Sequence, residues 1–336
     1  MQESDRERIM QIPDTRESWT TKTNTVTIGA TSAQGGTRKS TVTVGGTKCM
    51  PAAAYEGEAG NPPAVAVEIW DAGGENWPEG LRSQYGDSIK DAASWAKKAV
   101  EVGAELVCLK LAGTHPDGAN RGPDDAAATV KEVLGAVSVP LIVWGCGVAE
   151  QDNKVLPRCT AAARGENCLF GSITEKNYRT LVAACLADSH KLISESPLDI
   201  NIAKQVNILA QDAGFPLEDI VIFPTTGALG YGFEYVYSIM ERGRLAGLSG
   251  DQLLRQPVLC DVGAEAWRAK EARASDEELG ALGPAVRRGP LWEAITATNL
   301  LMAGGDILVM RHPKAVEMLR KAIGTISQPG GTKAIS

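Results

Sequence analysis

The chain has little of what metal, redox and nucleic-acid chemistry usually need. Its 336 residues hold three histidines, His115, His190 and His312, and none stand at metal-ligand spacing. Seven cysteines are scattered without a CxxC pair, several of them inside apolar runs such as LVCLK and NCLF. They read as buried free thiols, and neither an iron–sulfur cluster nor a structural zinc is expected within this chain. No basic excess exists: the formal charge of -7 argues against a nucleic-acid binder, whose affinity rests on cationic phosphate contacts. An 18-residue apolar run is also missing, so no membrane span is expected. The start, MQESDRERIMQIPDTRESW, lacks the apolar stretch of a signal peptide, and the expected location is the cytoplasm. With 43% hydrophobic and 22% charged residues, the composition is that of a globular protein with a sizeable core.

What the chain does have is a period. Eight short apolar runs recur from residue 63 onward: AVAVEIW (64–70), AELVCLK (104–110), VPLIVWG (139–145), ENCLFGS (166–172), HKLISES (190–196), DIVIFP (219–224), QPVLCDV (256–262) and GDILVMR (305–311). Between them lie segments of helical period, as in Ala92, Trp95, Ala96 and Ala99. Eight strands alternating with helices predict a TIM (β/α)8 barrel, and the continuous apolar runs suit parallel strands buried on both faces. An open doubly wound sheet shares this local alternation, so the count favours the barrel. DAGGENWPEG, after the first run, has the wrong spacing for a dinucleotide-binding turn. Two β-branched runs, 25–29 and 40–44, predict a hairpin that covers the N-terminal mouth of the barrel. The expected division is a tail and hairpin over 1–50, the barrel over 51–326 and a flexible tail over 327–336.

Function in such a barrel is built at the strand exits. Reading them in order brings up Asp71, Asn76 and Trp77, then Lys110, then Trp144 with the glycines of 145–147. SESPLDIN, DVGAEAWRAKEA and RHP follow the later strands. Lys110 offers either a Schiff-base amine or a lysine snorkelling to solvent. Asp199 suits a helix cap near Asn201, Asp261 and Glu265 give only a weak cation signal, and Arg311 with His312 precedes a helix that Pro313 can start. That corner can meet an anion.

The stretch IFPTTGALGYGFEY (222–235) is the most unusual exit, with Gly227, Gly230 and Gly232 in six residues. Without a Cβ, these glycines let backbone approach a broad ligand closely. Trp144, Leu229, Tyr231 and Phe233 would then line one side of the mouth, which suits a large planar ligand or a partner protein. The plainer alternative folds Tyr231 and Phe233 back onto their own helix as core.

Several long motifs carry a family resemblance: SPLDINIAKQVNIL, IFPTTGALGYGFEYVYSIMERGRLAGL, AEAWRAKEA, GPLWEAITATNLLMAGGDILVMRHPKAV, GATSAQGGTR and VCLKLAGTHPDGAN. Over roughly residues 26 to 325 the chain resembles the small subunit of the corrinoid iron–sulfur protein of the acetyl-CoA (Wood–Ljungdahl) pathway. The delta subunit of the archaeal acetyl-CoA decarbonylase/synthase is its close relative. The resemblance implies a barrel paired with a large subunit that carries a [4Fe-4S] cluster and a corrinoid domain. It also implies a cobamide facing the strand-exit mouth. The heterodimer would pass a methyl group from methyltetrahydrofolate, through a separate methyltransferase, to acetyl-CoA synthase, with a reductive activator as a further partner. On this reading the chain is a non-catalytic carrier subunit, and Thr225, Thr226, Gly227, Ala228, Leu229, Gly230, Tyr231, Trp144, Arg311 and His312 meet the cobamide. Phe223 stands where the family pattern is acidic, so no carboxylate role carries over, and 276–290 is loosely matched. The alternative is a pterin-dependent methyltransferase that holds the pterin with Asp71, Asn76 and Asn120. A lyase using Lys110 is a third reading.

Overall fold

A computed structural model describes residues 16–326; the expected tails over 1–15 and 327–336 lie outside the described residues. Strand β1 (Thr25–Ile28) pairs antiparallel with β2 (Val42–Gly45), Ile28 lying opposite Val42. The hairpin is two-faced because its alternation is strict. Thr27 and Thr43 hydrogen-bond each other on one face at 3.0 Å. Val26, Ile28 and Val44 bury the other against Leu106, Ile142, Leu169, Leu259 and Ile307. Those partners start barrel strands, so the hairpin plugs the N-terminal end of the barrel. Its second strand begins two residues later than its β-branched run, since the connection between the strands holds a short turn and Arg38.

All eight apolar runs form parallel strands: β3 (Ala64–Trp70), β4 (Leu106–Lys110), β5 (Leu141–Trp144), β6 (Leu169–Ile173), β7 (Lys191–Glu195), β8 (Ile220–Phe223), β9 (Leu259–Cys260) and β10 (Ile307–Met310). They run side by side from β8 through β3 and β10 to β9. Closure comes from a parallel bridge between Ile222 and Val258, with the Ile222 N–H donating to the Pro257 carbonyl at 2.8 Å. That contact makes the sheet a barrel rather than an open layer.

Helices cover the sheet in chain order: α1 (Glu79–Tyr85), α2 (Ala92–Glu101), α3 (Pro123–Ala136), α4 (Ala149–Ala162), α5 (Tyr178–Asp188), α6 (Ile200–Asp212) and α7 (Phe233–Leu248). The strand β9 exit carries short α8 (Val262–Ala266), α9 (Lys270–Arg273) and α10 (Asp276–Leu279) before α11 (Ala285–Met302), and α12 (Pro313–Ile326) follows β10. Local rules explain several starts. Asp199 caps α6 by accepting from the Asn201 and Ile202 N–H groups, and Asp91 caps α2 through Ser94. Ala92, Trp95, Ala96 and Ala99 are the buried face of α2, as their spacing predicts.

Residues 276–290, loosely matched in sequence, are organised by Arg288. Its buried guanidinium donates to the carbonyls of Glu271 at 2.6 Å and Gly283 at 2.5 Å, and also to those of Ala274 and Leu279. A similar arginine, Arg38, locks the hairpin connection down. It pairs with Glu166 at 2.8 Å and donates to the Val137 and Leu134 carbonyls at 2.6 and 2.7 Å. Replacing Arg38 with Met leaves buried Glu166 without its cation and the Leu134, Val137 and Val139 carbonyls without this donor, and is expected to lower stability by about 3 kcal/mol in urea unfolding.

Candidate functional site

Strand alternation decides what fills the barrel. Ala64, Ala66, Leu106, Cys108, Ile142, Leu169, Ile193, Val221, Ile307 and Val309 form the apolar interior. One or two steps further along the inward register, toward the strand exits, the interior changes character. Glu68, Trp70, Lys110, Trp144, Glu195, Phe223, Asp261 and Arg311 occupy that top layer.

Glu68 is its centre. The carboxyl is fully buried and accepts from Arg311 Nη2 at 2.6 Å and from the Trp70 indole N–H at 2.5 Å. Lys110 Nζ lies 3.0 Å from its other oxygen and 2.5 Å from Asp261 Oδ2. Burial alone would raise the Glu68 carboxyl, but the Arg311 and Lys110 charges hold it at about 2. Lys110 moves the other way: burial opposes its charge, and the Asp261 and Glu68 carboxylates push its ammonium above the ordinary value. A lysine held charged by two carboxylates is neither a snorkelling side chain nor a free amine for imine chemistry.

Aromatic rings wall this ionic layer. The Arg311 guanidinium lies 4.6 Å over Trp77 and 5.6 Å over Trp70. Trp77 stands edge-on to Trp95 at 4.8 Å, and Lys110 Nζ sits 5.3 Å over Trp144. Trp144 in turn meets Phe223 edge-to-face at 4.9 Å, at the base of the 225–231 loop.

That loop is anchored to the layer beneath it. Thr226 Oγ1 accepts from the Asp261 N–H at 2.8 Å, and Thr225, at φ +68°, donates its hydroxyl to the Ser196 carbonyl at 2.9 Å. Ala228 is buried and closes a turn by accepting from the Tyr231 N–H at 2.9 Å. The three glycines do three different things. Gly227 is buried, and a Cβ there would press on the Gly232 and Tyr231 carbonyls at about 3 Å, so its smallness serves the loop's own fold. Gly232 takes φ +82° as the cap of α7. Gly230, exposed at φ +76°, is the one with open space before it, the nearest atom to an added Cβ being on Trp292 at 4.0 Å. Leu229 is half-buried beside it. Tyr231 is half exposed, with its hydroxyl donating to Glu271 at 3.0 Å and accepting from the Lys270 N–H at 3.2 Å. Phe233 packs on the core beside Tyr237.

Arg311 and His312 part company although adjacent. Arg311 points into the barrel, while His312 stacks parallel on Trp267 at 5.8 Å. Burial lowers the His312 ring to about 4, and Arg311 is committed to Glu68, so neither supplies an uncommitted positive charge. Their backbone N–H groups both donate to Glu293, which burial pushes up to about 7. Asp71 holds a loop rather than the interior: it accepts from the Gly113 N–H at 2.7 Å, with Arg121 3.5 Å away. Asp152 accepts from the Cys146 and Gly147 N–H groups. Asn76 and Asn120 are exposed, Asn120 touching Gln151. Glu265 pairs with Arg268, and no group of His, Cys, Asp or Glu among the described residues could hold a metal ion. A groove of about 610 Å³ lies at the opposite, hairpin end, lined by Gly29, Asn167, Asp188 and Lys191. Its charges are consumed by the Arg164–Asp188 and Lys191–Asp219 pairs.

With this geometry in view, the sequence matches the CO dehydrogenase/acetyl-CoA synthase delta subunit family over residues 25–323. The chain belongs to that family. It is 39% identical over 288 residues to the acetyl-CoA decarbonylase/synthase complex subunit delta of Methanothermobacter thermautotrophicus, covering 85% of this chain and 72% of the relative. Against the corresponding subunit of Archaeoglobus fulgidus it is 36% identical over 317 residues, covering 93% and 70%. Among solved structures, the dihydropteroate synthase of Vibrio fischeri ES114 overlays with a TM-score of 0.55 at 12% identity, covering 80% of this chain and 95% of that one. That of Xanthomonas albilineans with 4-aminobenzoic acid gives 0.54 at 14%, with the same coverage. At such identities they establish the shared barrel fold. No helix among the described residues of this delta-family chain is long and apolar enough to cross a membrane.

The structure thus gathers Trp144, Arg311 and the 225–231 loop at one end of the barrel and turns His312 aside. Sequence reasoning passed over Glu68, Glu195 and Glu293. The signal for the first two was present: each is a lone acid on the inward register of an apolar strand. Glu293 had none, because it lies on a helix and its partners, Arg311, His312 and Trp267, come from the exits of β10 and α8.

The Glu68 carboxyl lies below its ordinary value of 4.5, so its stabilisation is complete above that pH and is lost as pH falls from about 4.5 to about 2. Urea midpoints measured across that window should fall steeply for the wild type. Glu68→Gln should be less stable near neutrality by about 3 kcal/mol, with a flatter acid limb.

Proposed function

We propose that this delta-family chain is the small, non-catalytic subunit of a corrinoid methyl carrier. It would pair with a large subunit holding the [4Fe-4S] cluster and the corrinoid domain, and enclose the cobamide between them. The bound cobamide supplies the cobalt that takes up and releases the methyl group. The work of this chain is to cover that centre and exclude water from it. Its methyl donor would be methyltetrahydrofolate acting through a methyltransferase, its acceptor acetyl-CoA synthase, and its reactivation the task of a reductive activator.

The observation that carries the reading is the contrast at the mouth. Beneath the rim, Lys110 and Arg311 are bound to carboxylates, so no free nucleophilic amine and no uncommitted cation stands in the floor. At the rim, Gly230 presents bare backbone with open space before it, flanked by Leu229 and Tyr231. Exposed backbone and apolar edges above a floor whose two cations are both paired suit a broad ligand without anionic groups at its edge. Thr225 to Tyr231 would make the contact, Trp144 supporting the loop from below through Phe223.

The chain purified alone is expected to be colourless, and co-purified with its large subunit to carry corrinoid absorbance. Failure to form that complex overturns the proposal. Methyl transfer from methyltetrahydrofolate to free cob(I)alamin by this chain alone would instead establish a pterin-dependent methyltransferase. Gly230→Leu tests the rim: besides about 1 kcal/mol of strain at positive φ, it places a side chain where the ligand edge lies. The complex should retain severalfold less corrinoid, with the circular dichroism of the barrel unchanged.

A further inference from the structure

The top layer contains three carboxyls and two cations, shared unequally. Glu68 takes both Arg311 and Lys110, and Asp261 takes Lys110. Glu195 has neither. It ends β7 on the inward register of Ile193, and among the described residues the one hydrogen-bond partner of its carboxyl is the Ser172 hydroxyl. The charged groups facing it are Asp261 from the β9 exit, Asp152 from α4 and Lys110 from β4. Two of these are acids, and the third is already bound to other carboxylates. Unlike Glu68, Glu195 is incompletely covered. Close by, Asp261 Oδ1 is buried with no hydrogen-bond donor. Acceptor atoms at a buried site call for donors, and leaving them unmet is costly.

We propose that Glu195, with Asp261 beside it, forms a subsite of the mouth that takes an uncharged primary carboxamide of the bound ligand and rejects phosphate and carboxylate groups. The inference rests on the reading that a cobamide covers this mouth, since a corrinoid ring carries carboxamide arms around its edge. A carboxamide offers two N–H donors and one carbonyl acceptor. It therefore satisfies Glu195 as a carboxylate, and satisfies it doubly as a carboxylic acid, whose O–H donates to the amide carbonyl. An anion would set acceptor against acceptor beside Asp261 and Asp152. Burial first, then those two acids, pushes the Glu195 carboxyl above its ordinary value, with the Ser172 hydroxyl opposing. This favours the doubly bonded form as pH falls.

The test uses the complex of this chain with its large subunit, freed of corrinoid, and dicyanocobinamide as the probe, followed by visible absorbance in equilibrium dialysis. Wild-type binding should weaken as pH rises above the ordinary carboxyl range and Glu195 loses its proton. Glu195→Ala should bind about tenfold more weakly at the acidic end. Glu195→Gln keeps a donor and an acceptor but does not titrate, so it should bind like the acidic wild type with the pH slope removed. Pyrophosphate should not compete. Wild-type affinity in Glu195→Ala, or Glu195→Gln as weak as Glu195→Ala, overturns the subsite while leaving the cobamide reading intact. A wild-type complex that binds no cobinamide overturns both. Should Glu195→Ala fail to assemble, the pH profile of Glu195→Gln decides alone, and a wild-type slope there sinks the proposal.

Discussion

One buried carboxylate, that of Glu68, sets the arrangement of the barrel mouth. Removing a carboxylate from water is expensive unless opposite charge and donors replace the lost hydration. Here Arg311, Lys110 and the Trp70 indole do so, arriving from β3, β4 and the β10 exit. Lys110 extends the network to Asp261 at the β9 exit, so four neighbouring strands are joined across their ends. The same pairing presses the Arg311 guanidinium against Trp77 and Trp70, and through them orders Trp95 and Tyr85. Loss of either cation would leave charge stranded in a closed space, which keeps the layer intact as a unit.

Everything above this layer is attached to it. Asp261 donates its backbone N–H to Thr226, tying the 225–231 loop to the same residue that receives Lys110. On the other flank, Glu293 of α11 accepts from the Arg311 and His312 N–H groups and from the Trp267 indole. Rim and floor are therefore tied into one unit, the support that a binding or catalytic site needs. Within the rim, conformational freedom is confined: Gly227 is pinned by its neighbours' carbonyls, whereas Gly230 faces open space.

Much of this was legible in the chain. The eight apolar runs, the hairpin, the Asp199 cap and the start of α12 at Pro313 follow from short-range rules, alternation by two in strands, spacing by three and four in helices, and the chemistry of helix ends. The acids in AVAVEIW and HKLISES were visible too, each interrupting an apolar strand on the face that turns inward. Which groups they meet was not legible, because Glu68 and Arg311 are 243 residues apart. For the same reason Lys110 reads in isolation as a surface or imine-forming lysine, and is in fact an ion-pair hub.

The sequence by itself determined the barrel's parts, their order and the family to which the chain belongs, since these rest on local periodicity and on long contiguous motifs. Tertiary structure decided closure, which depends on the contact between β8 and β9, and with closure the top layer of charges. It also separated residues that the sequence places together: Arg311 inside, His312 against Trp267, Gly227 buried, Gly230 bare. Neighbours along a strand or loop point to opposite sides, and only the packing of distant elements says what waits on each side.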